Sequence, residues 1–395
     1  MRPLPRAIHA RRVAPSGAKT RPYTAIDLAC PVLNARVPGA VYGELPLVRP
    51  ITESEGADNE FGTLGSTRTT MSRKHIIVIG ASFAGLTAAS EIRAKLGAQH
   101  DVTVIARTDQ LVRTTDLAAL PFGKCDRDGI CTPVRPVLER QGIRFQQDEL
   151  VHLDPTEHSV TTKSGHELYD YLVLATGVQA NFAAIPGLGP RGYTHSISTV
   201  AQAEGTKVAL ERLAQQPGPA LIGAAQGAIH PEAAEQFLRN MAQWLSDLQL
   251  NARVQITYLA ADPGITPVRT DDDALHGVGL ESITNASILQ IRPNEAQLSD
   301  GRTVPFAFAM LMPPVLGVDC VRKCETLTDA AGFVRVDDYC RSTSCPEIFA
   351  AGDCSTLTAT EKLGKSSNAS ELTAEIAAHN LVCQILGGPL RSAHV

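Results

Sequence analysis

The sequence predicts an α/β protein with two Rossmann-like dinucleotide-binding domains, preceded by a disordered N-terminal extension. Three observations predict it. A strand, glycine turn, helix and strand follow one another from His75, and a second such unit starts at Leu221. Two further apolar runs end in Ala-Thr-Gly and in Gly-Asp, the small-residue endings that bring backbone close to a ligand at the carboxyl edge of an open parallel sheet.

The first unit opens with the β-branched run His75–Ile79, of the kind buried on both faces in a parallel sheet. Gly80-Ala81-Ser82-Phe83-Ala84-Gly85 follows, then a helical period from Leu86 to Ile92 and a second strand at Asp101–Ile105. Gly80 permits the sharp turn, and Ser82 keeps the middle position small. Gly85 lets the helix pack close to the strand. The free N–H groups and positive dipole of the helix N-terminus then face a pyrophosphate. After the second strand the usual ribose-binding acid is replaced by Ala106-Arg107. Asp109, backbone groups or Arg107 itself could hold the ribose, and a solvated loop charge is the plainer account of Arg107.

The run Tyr169–Gly177 ends in Ala175-Thr176-Gly177, and Glu347–Cys354 carries Gly352-Asp353, whose carboxylate can accept a hydrogen bond from a cofactor hydroxyl. The second unit reads Gly223-Ala224-Ala225-Gln226-Gly227-Ala228, then a helix over Pro231–Gln249 with Phe237, Met241, Trp244, Leu245 and Leu248 on one face, then a strand at Val254–Ala260. Ala225 and Ala228 stand where glycines would admit a NAD(H) pyrophosphate, and the first acid after the strand is Asp262. NAD(P)H is therefore the less favoured ligand, and a vestigial structural domain the favoured reading. A last helix, Ser370–Leu386, has Leu372, Ile376, Ala377 and Leu381 at helical spacing and closes the first domain.

Residues 1–70 contain eight prolines and no regular period. Their first 25 residues are basic and free of acid, as in organelle presequences, but Pro3, Pro5, Pro15 and Pro22 oppose the amphipathic helix such a leader needs. No apolar region follows Arg11-Arg12, which argues against a secretory leader. A disordered tail or an over-long start, with Met71 as the working initiator, is the favoured reading.

Composition narrows the function. The 395 residues carry a net charge of −5 and 5% aromatics, which disfavours nucleic-acid binding. No run of 18 apolar residues exists, so no transmembrane segment is expected. Nine cysteines, an odd number spread over a long chain, suit a reducing compartment, and a cytoplasmic location is expected, with peripheral attachment to a membrane left open. No Ser-His-Asp order, HExxH or P-loop lysine supports a hydrolase or an NTPase.

The ordered trio of glycine turn, Ala-Thr-Gly and Gly-Asp resembles the pyridine nucleotide–disulfide oxidoreductases. Within them the resemblance is strongest to sulfide:quinone oxidoreductases and the flavoprotein subunit of flavocytochrome c sulfide dehydrogenase, from about Lys74 to Leu381. It is carried also by Ile185-Pro186-Gly187, Ser196-Ile197-Ser198-Thr199, Pro217–Ala224, Met312-Pro313-Pro314 and Gly332–Asp337. The resemblance implies FAD on the first domain, held by Gly80, Ser82, Gly85, Thr176, Gly177, Gly352 and Asp353; Phe83, Ala84, Arg107 and Ala175, from the same strand ends and turn, are expected as further cofactor-binding residues. It also implies that Lys365, ahead of the last helix, lies by the flavin pyrimidine ring, where a cation favours the anionic reduced form.

The same comparison marks departures. The family's first redox cysteine falls at Ser198, a nearby histidine at Gln202, and its second cysteine in Ala228-Ile229-His230-Pro231. A hydroxyl forms no disulfide or persulfide. The family's C-terminal region, which serves the quinone end and membrane attachment, is not expected beyond His379-Asn380. The expected division is 1–70 as extension, 71–182 and 305–395 as two parts of the FAD domain, and 183–304 as the degenerate second domain. The expected activity is an FAD-dependent oxidoreductase passing electrons from a small donor to a quinone or protein acceptor without a cysteine relay. An NAD(P)H-dependent enzyme of NADH:quinone type and a non-catalytic flavin-binding protein are the alternatives. No residue is assigned as acid, base or nucleophile.

Cys125 and Cys131, with five residues between them in a polar loop, are expected as free thiols rather than a labile disulfide. Cys320, Cys324, Cys340 and Cys345 are spaced too widely for a zinc ribbon and are expected on a surface hairpin; no metal site is expected. Cys354 is expected to pack as a small residue beside Gly352-Asp353.

Overall fold

The computed structural model describes residues 72–263, 275, 277–357 and 367–393. The extension 1–70, Met71 and Lys365 lie outside the described residues. In chain order the elements that build the site are β1 (His75–Ile79), α1 (Phe83–Leu96), β2 (Asp101–Ala106), β3 (Arg144–Gln147) and β4 (Tyr171–Leu174). They continue with α2 (Val200–Gln215), β5 (Ala220–Ala224), α3 (Pro231–Asp247), β6 (Gln255–Ala260), β7 (Gly279–Thr284), β8 (Phe308–Met312), β9 (Ile348–Ala350) and α4 (Ser367–Leu386).

The first sheet has the order β9-β4-β1-β2-β3, with every pair parallel. β1 sits at its centre because it is apolar on both faces: Ile76, Ile77 and Val78 are fully buried, each contributing about 1.5–3 kcal/mol by transfer from water. The chain leaves β1 through α1 toward β2 on one side, while β4 and β9 pair on the other. The carboxyl end of β1 is thus the switch point at which open α/β sheets bind ligands. Helix α4 packs on α1 and covers the sheet, with Ile376, Ala377 and Leu381 buried.

The second sheet, β7-β6-β5-β8, is also parallel throughout. Strand β8 lies beyond the boundary expected at residue 304, so this sheet draws on both sides of it. Phe237, Met241 and Leu245 of α3 are buried against the sheet, and Trp244 packs edge-on to Phe122. Leu248, expected on the same face, is exposed because it caps the helix, and the backbone turns away there. A ribbon of Val178–Ala180 with Val315–Gly317 links the two halves. Two small antiparallel sheets, one between β3 and β4 and one between β7 and β8, were not anticipated; their strands are too short for a clear period.

The cysteine-rich segment is not a surface hairpin. Cys340 is fully buried in a left-handed turn, and burial pushes its thiol up to about 12; Cys320, Cys324 and Cys345 are half-buried against the core of the first sheet. Cys125 and Cys131 are separate thiols. Among the described residues no group of three or more His, Cys, Asp or Glu is placed to hold a metal ion. Cys354 is buried, with its thiol toward the carbonyls of Leu174 and Ala351.

Candidate functional site

The carboxyl ends of β1, β4 and β9 converge. Gly80 N–H donates to Ile105 O at 2.9 Å, Ala175 N–H to Ile79 O at 2.9 Å and Ala351 N–H to Leu174 O at 3.0 Å. Gly80 has φ +113°, and a β-carbon there would stand 2.2 Å from the Ala175 carbonyl oxygen. A β-carbon on Gly85 would stand 2.0 Å from the Gly80 carbonyl oxygen. Both positions admit only glycine, because backbone meets backbone with no room for a methyl. The structure therefore brings together Gly80, Ser82, Phe83, Ala84 and Gly85 of the turn, Ala175, Thr176 and Gly177 after β4, and Gly352 and Asp353 after β9. Gly352, at φ +71°, lies against Ala84 of α1.

The site is built to receive an anion. Ser82 is the N-cap of α1, yet its hydroxyl makes no capping bond, and the first turn of the helix carries no acid to quench its dipole. The Thr176 hydroxyl is buried and has no hydrogen-bond partner among the described residues. A buried hydroxyl left unpaired is costly, so a ligand group that reached it would recover that cost. These features fit a dinucleotide. Arg107 is exposed beyond the end of β2. Asp109, one candidate for the ribose, is committed elsewhere: Oδ1 accepts from Val134 N–H at 3.0 Å and Arg135 N–H at 2.8 Å, starting the short helix Arg135–Arg140.

The second glycine turn shares the tight packing of the first but differs from it in its free N–H groups. Gly223 packs as tightly as Gly80, a β-carbon there lying 1.9 Å from the Leu259 carbonyl oxygen. Three of the turn's N–H groups are already used. Gly227 N–H donates to Asp262 Oδ2 at 2.8 Å, Ala225 N–H to Met312 O at 3.0 Å and Ala228 N–H to Ala225 O at 3.1 Å. The Gln226 amide pairs with both backbone groups of Ile288. Helix α3 begins with Pro231, which has no N–H, and Glu232 places a negative charge in its first turn. Asp262 therefore sits on the turn as an internal anion.

Sequence reasoning missed what His230 does. Its Nε2 lies 3.0 Å from Asp353 Oδ2 and its Nδ1 3.1 Å from Glu232 Oε1. Burial works against the charged ring, but the hydrogen bonds and charges of Asp353 and Glu232 outweigh it and lift His230 to about 9. At neutral pH it is an imidazolium. Ser198 is engaged with Ser196, the two hydroxyls 2.9 Å apart, and the Gln202 side-chain oxygen is buried without a partner among the described residues.

Residues 67–373 match the model of the pyridine nucleotide-disulphide oxidoreductase family. The chain is 28% identical over 338 residues to a sulfide-quinone reductase of Aquifex aeolicus, covering 80% of this chain and 78% of that enzyme. It is 27% identical over 296 residues to an NADH dehydrogenase-like protein of Mycobacterium tuberculosis, covering 70% of this chain and 72% of that protein. The crystal structure of the sulfide:quinone oxidoreductase from Aquifex aeolicus superposes with a TM-score of 0.73 at 27% identity, covering 80% and 78% of the two chains. The chain belongs to the pyridine nucleotide-disulphide oxidoreductase family, and it is an FAD-dependent oxidoreductase. No helix among the described residues is long and apolar enough to cross a membrane.

Proposed function

We propose that the chain binds FAD at the carboxyl edge of the first sheet and passes electrons from a small donor through the flavin to a quinone. The observation that carries this reading is the pairing of an unused α1 N-terminus with the orphaned Thr176 hydroxyl at the switch point. When bound, FAD supplies the two-electron chemistry. The protein's part is to bind and orient. The N–H groups behind Ser82, Phe83, Ala84 and Gly85 receive the pyrophosphate, Gly80 lets it approach backbone, and Arg107 flanks the nucleotide end. Ala175, Thr176 and Gly177 line the other wall, and Gly352 and Asp353 offer an acceptor to the sugar-alcohol chain. Lys365 is assigned to the pyrimidine edge by family resemblance. Relatives named for quinone chemistry support the acceptor.

The donor is not sulfide by a cysteine relay. A hydroxyl stands at Ser198, where the resemblance places one thiol, and the segment Ala228-Ile229-His230-Pro231, where it places the other, holds no cysteine, so no disulfide can form between them. NAD(P)H is the weaker candidate, since Asp262 and the turn itself consume the N–H groups a second pyrophosphate would need.

An anaerobic experiment tests the reading. Flavin in the purified chain is reduced chemically, then mixed with a soluble quinone. Reoxidation by quinone in the absence of oxygen is the expected result. Flavin that stays reduced would remove the quinone assignment. A donor screen with thiols, sulfide, NADH and NADPH then names the reductant, and rapid bleaching by sulfide would remove the argument from Ser198 and the cysteine-free segment after the second turn.

A further inference from the structure

Asp353, assigned above to the flavin seat, is gripped from the other half of the molecule. His230 enters from the loop between β5 and α3, 123 residues away in sequence, and its Nε2 meets Asp353 Oδ2 at 3.0 Å. The same ring meets Glu232 at 3.1 Å through Nδ1. Among the described residues, the charged groups facing it are Asp353 from the turn after β9 and Glu232 from its own helix.

Only the protonated ring can serve both carboxylates. An imidazolium donates from both nitrogens, whereas neutral imidazole donates from one and leaves the other carboxylate facing a lone pair. The protonated cluster of three groups has a net charge of −1, and it becomes −2 when the proton leaves. A dinucleotide brings two more negative charges to the same sheet edge. Proton loss at His230 therefore takes the donor from one of the two carboxylates, removes the charge from the bond to the other, and adds repulsion toward the ligand.

We propose that His230 is a positioning residue of the flavin seat, holding Asp353 from the second sheet and making FAD affinity depend on the protonation of its ring. The proposal rests on the assignment of Asp353 to that seat. The position of His230 near 9 places the transition on the alkaline side of neutrality, so the ring donates to both carboxylates at neutral pH and to one of them above it.

The experiment is FAD titration of the flavin-free chain, followed by flavin fluorescence, from about pH 7 to about pH 10.5. Wild type, His230→Gln, His230→Ala and Glu232→Gln are compared, with circular dichroism as the check on folding. In the wild type, FAD affinity should fall about tenfold across a step near 9. His230→Gln keeps one donor without the charge; it and His230→Ala should bind about tenfold more weakly at neutral pH and show no such step. Glu232→Gln removes one of the two carboxylates and should move the step to lower pH, a change that a merely structural histidine would not produce. FAD binding with the same pH profile in all four proteins would overturn the role of His230 and leave the seat standing. If a histidine variant fails to fold, a wild-type profile without the step, or a Glu232→Gln step at unchanged pH, overturns it equally. No uptake of FAD by the wild type at any pH would remove the seat itself.

Discussion

Gly80 and Ala175 approach so closely that a β-carbon on residue 80 would stand 2.2 Å from the Ala175 carbonyl oxygen. The contact seals β1 against the turn after β4, and the remaining seat is arranged around it. Gly80→Ala adds a clash with backbone to a φ of +113°, where side chains are strained. It should destabilise the chain by more than about 1 kcal/mol and abolish FAD retention. Thermal unfolding and the flavin content after desalting check both. A variant that keeps wild-type stability and flavin would contradict the packing described here.

Thr176→Val separates stability from binding. The hydroxyl is buried and unpaired among the described residues, so replacing it with a methyl should leave the flavin-free chain equally stable or about 1 kcal/mol more stable. FAD affinity should drop by about tenfold, because the ligand loses its partner. Thr176→Ser should retain affinity. Equal FAD affinity in Thr176→Val and wild type would show that the hydroxyl is not a cofactor contact.

The second turn predicts poor nicotinamide binding. Bound flavin should stay oxidised when one equivalent of NADH or NADPH is added anaerobically, since Asp262 holds the Gly227 N–H and Glu232 and Pro231 weaken the start of α3. Complete bleaching in a single turnover would reverse this and bring the NADH-dependent reading forward.

His195 gives the acid side of the stability profile. Its ring stacks on Phe308, and burial, assisted by the positive charge of Arg212, lowers it below the ordinary value. A histidine buried neutral stabilises the fold fully above its unfolded value of about 6.5, and that stability is lost as pH falls through and below it. The melting temperature should decline between about pH 7 and about pH 5. In His195→Phe that decline should be smaller, and an identical decline would rule His195 out as its source.

How much was legible in the sequence depended on the range of the interaction. β1 runs over His75–Ile79, as its β-branched pattern predicted, and α3 and β6 fall within two residues of expectation, because strand burial and helical period are local signals. The sharp turn at Gly80 also followed from residue type, and its φ of +113° bears that out, whereas its close approach to Ala175 was not read from the sequence. What sequence could not reveal are contacts made by docking distant segments. His230 reads as a loop histidine until α3 is placed over the turn after β9, and Asp262 reads as an ordinary strand-end acid until its carboxylate is seen on Gly227. The burial of Cys340 was missed for a related reason: a left-handed turn folded onto the core has no period.

On the proposed reading the first glycine turn, and not the second, seats a flavin. Equilibrium titration of the flavin-free chain with FAD tests it most directly, scored by colour transfer to the protein and by stoichiometry. A yellow protein carrying one FAD per chain is expected, with uptake lost in Gly80→Ala and preserved in Gly227→Ala. A chain that stays colourless in excess FAD, or one whose uptake survives at Gly80→Ala and fails at Gly227→Ala, would contradict it.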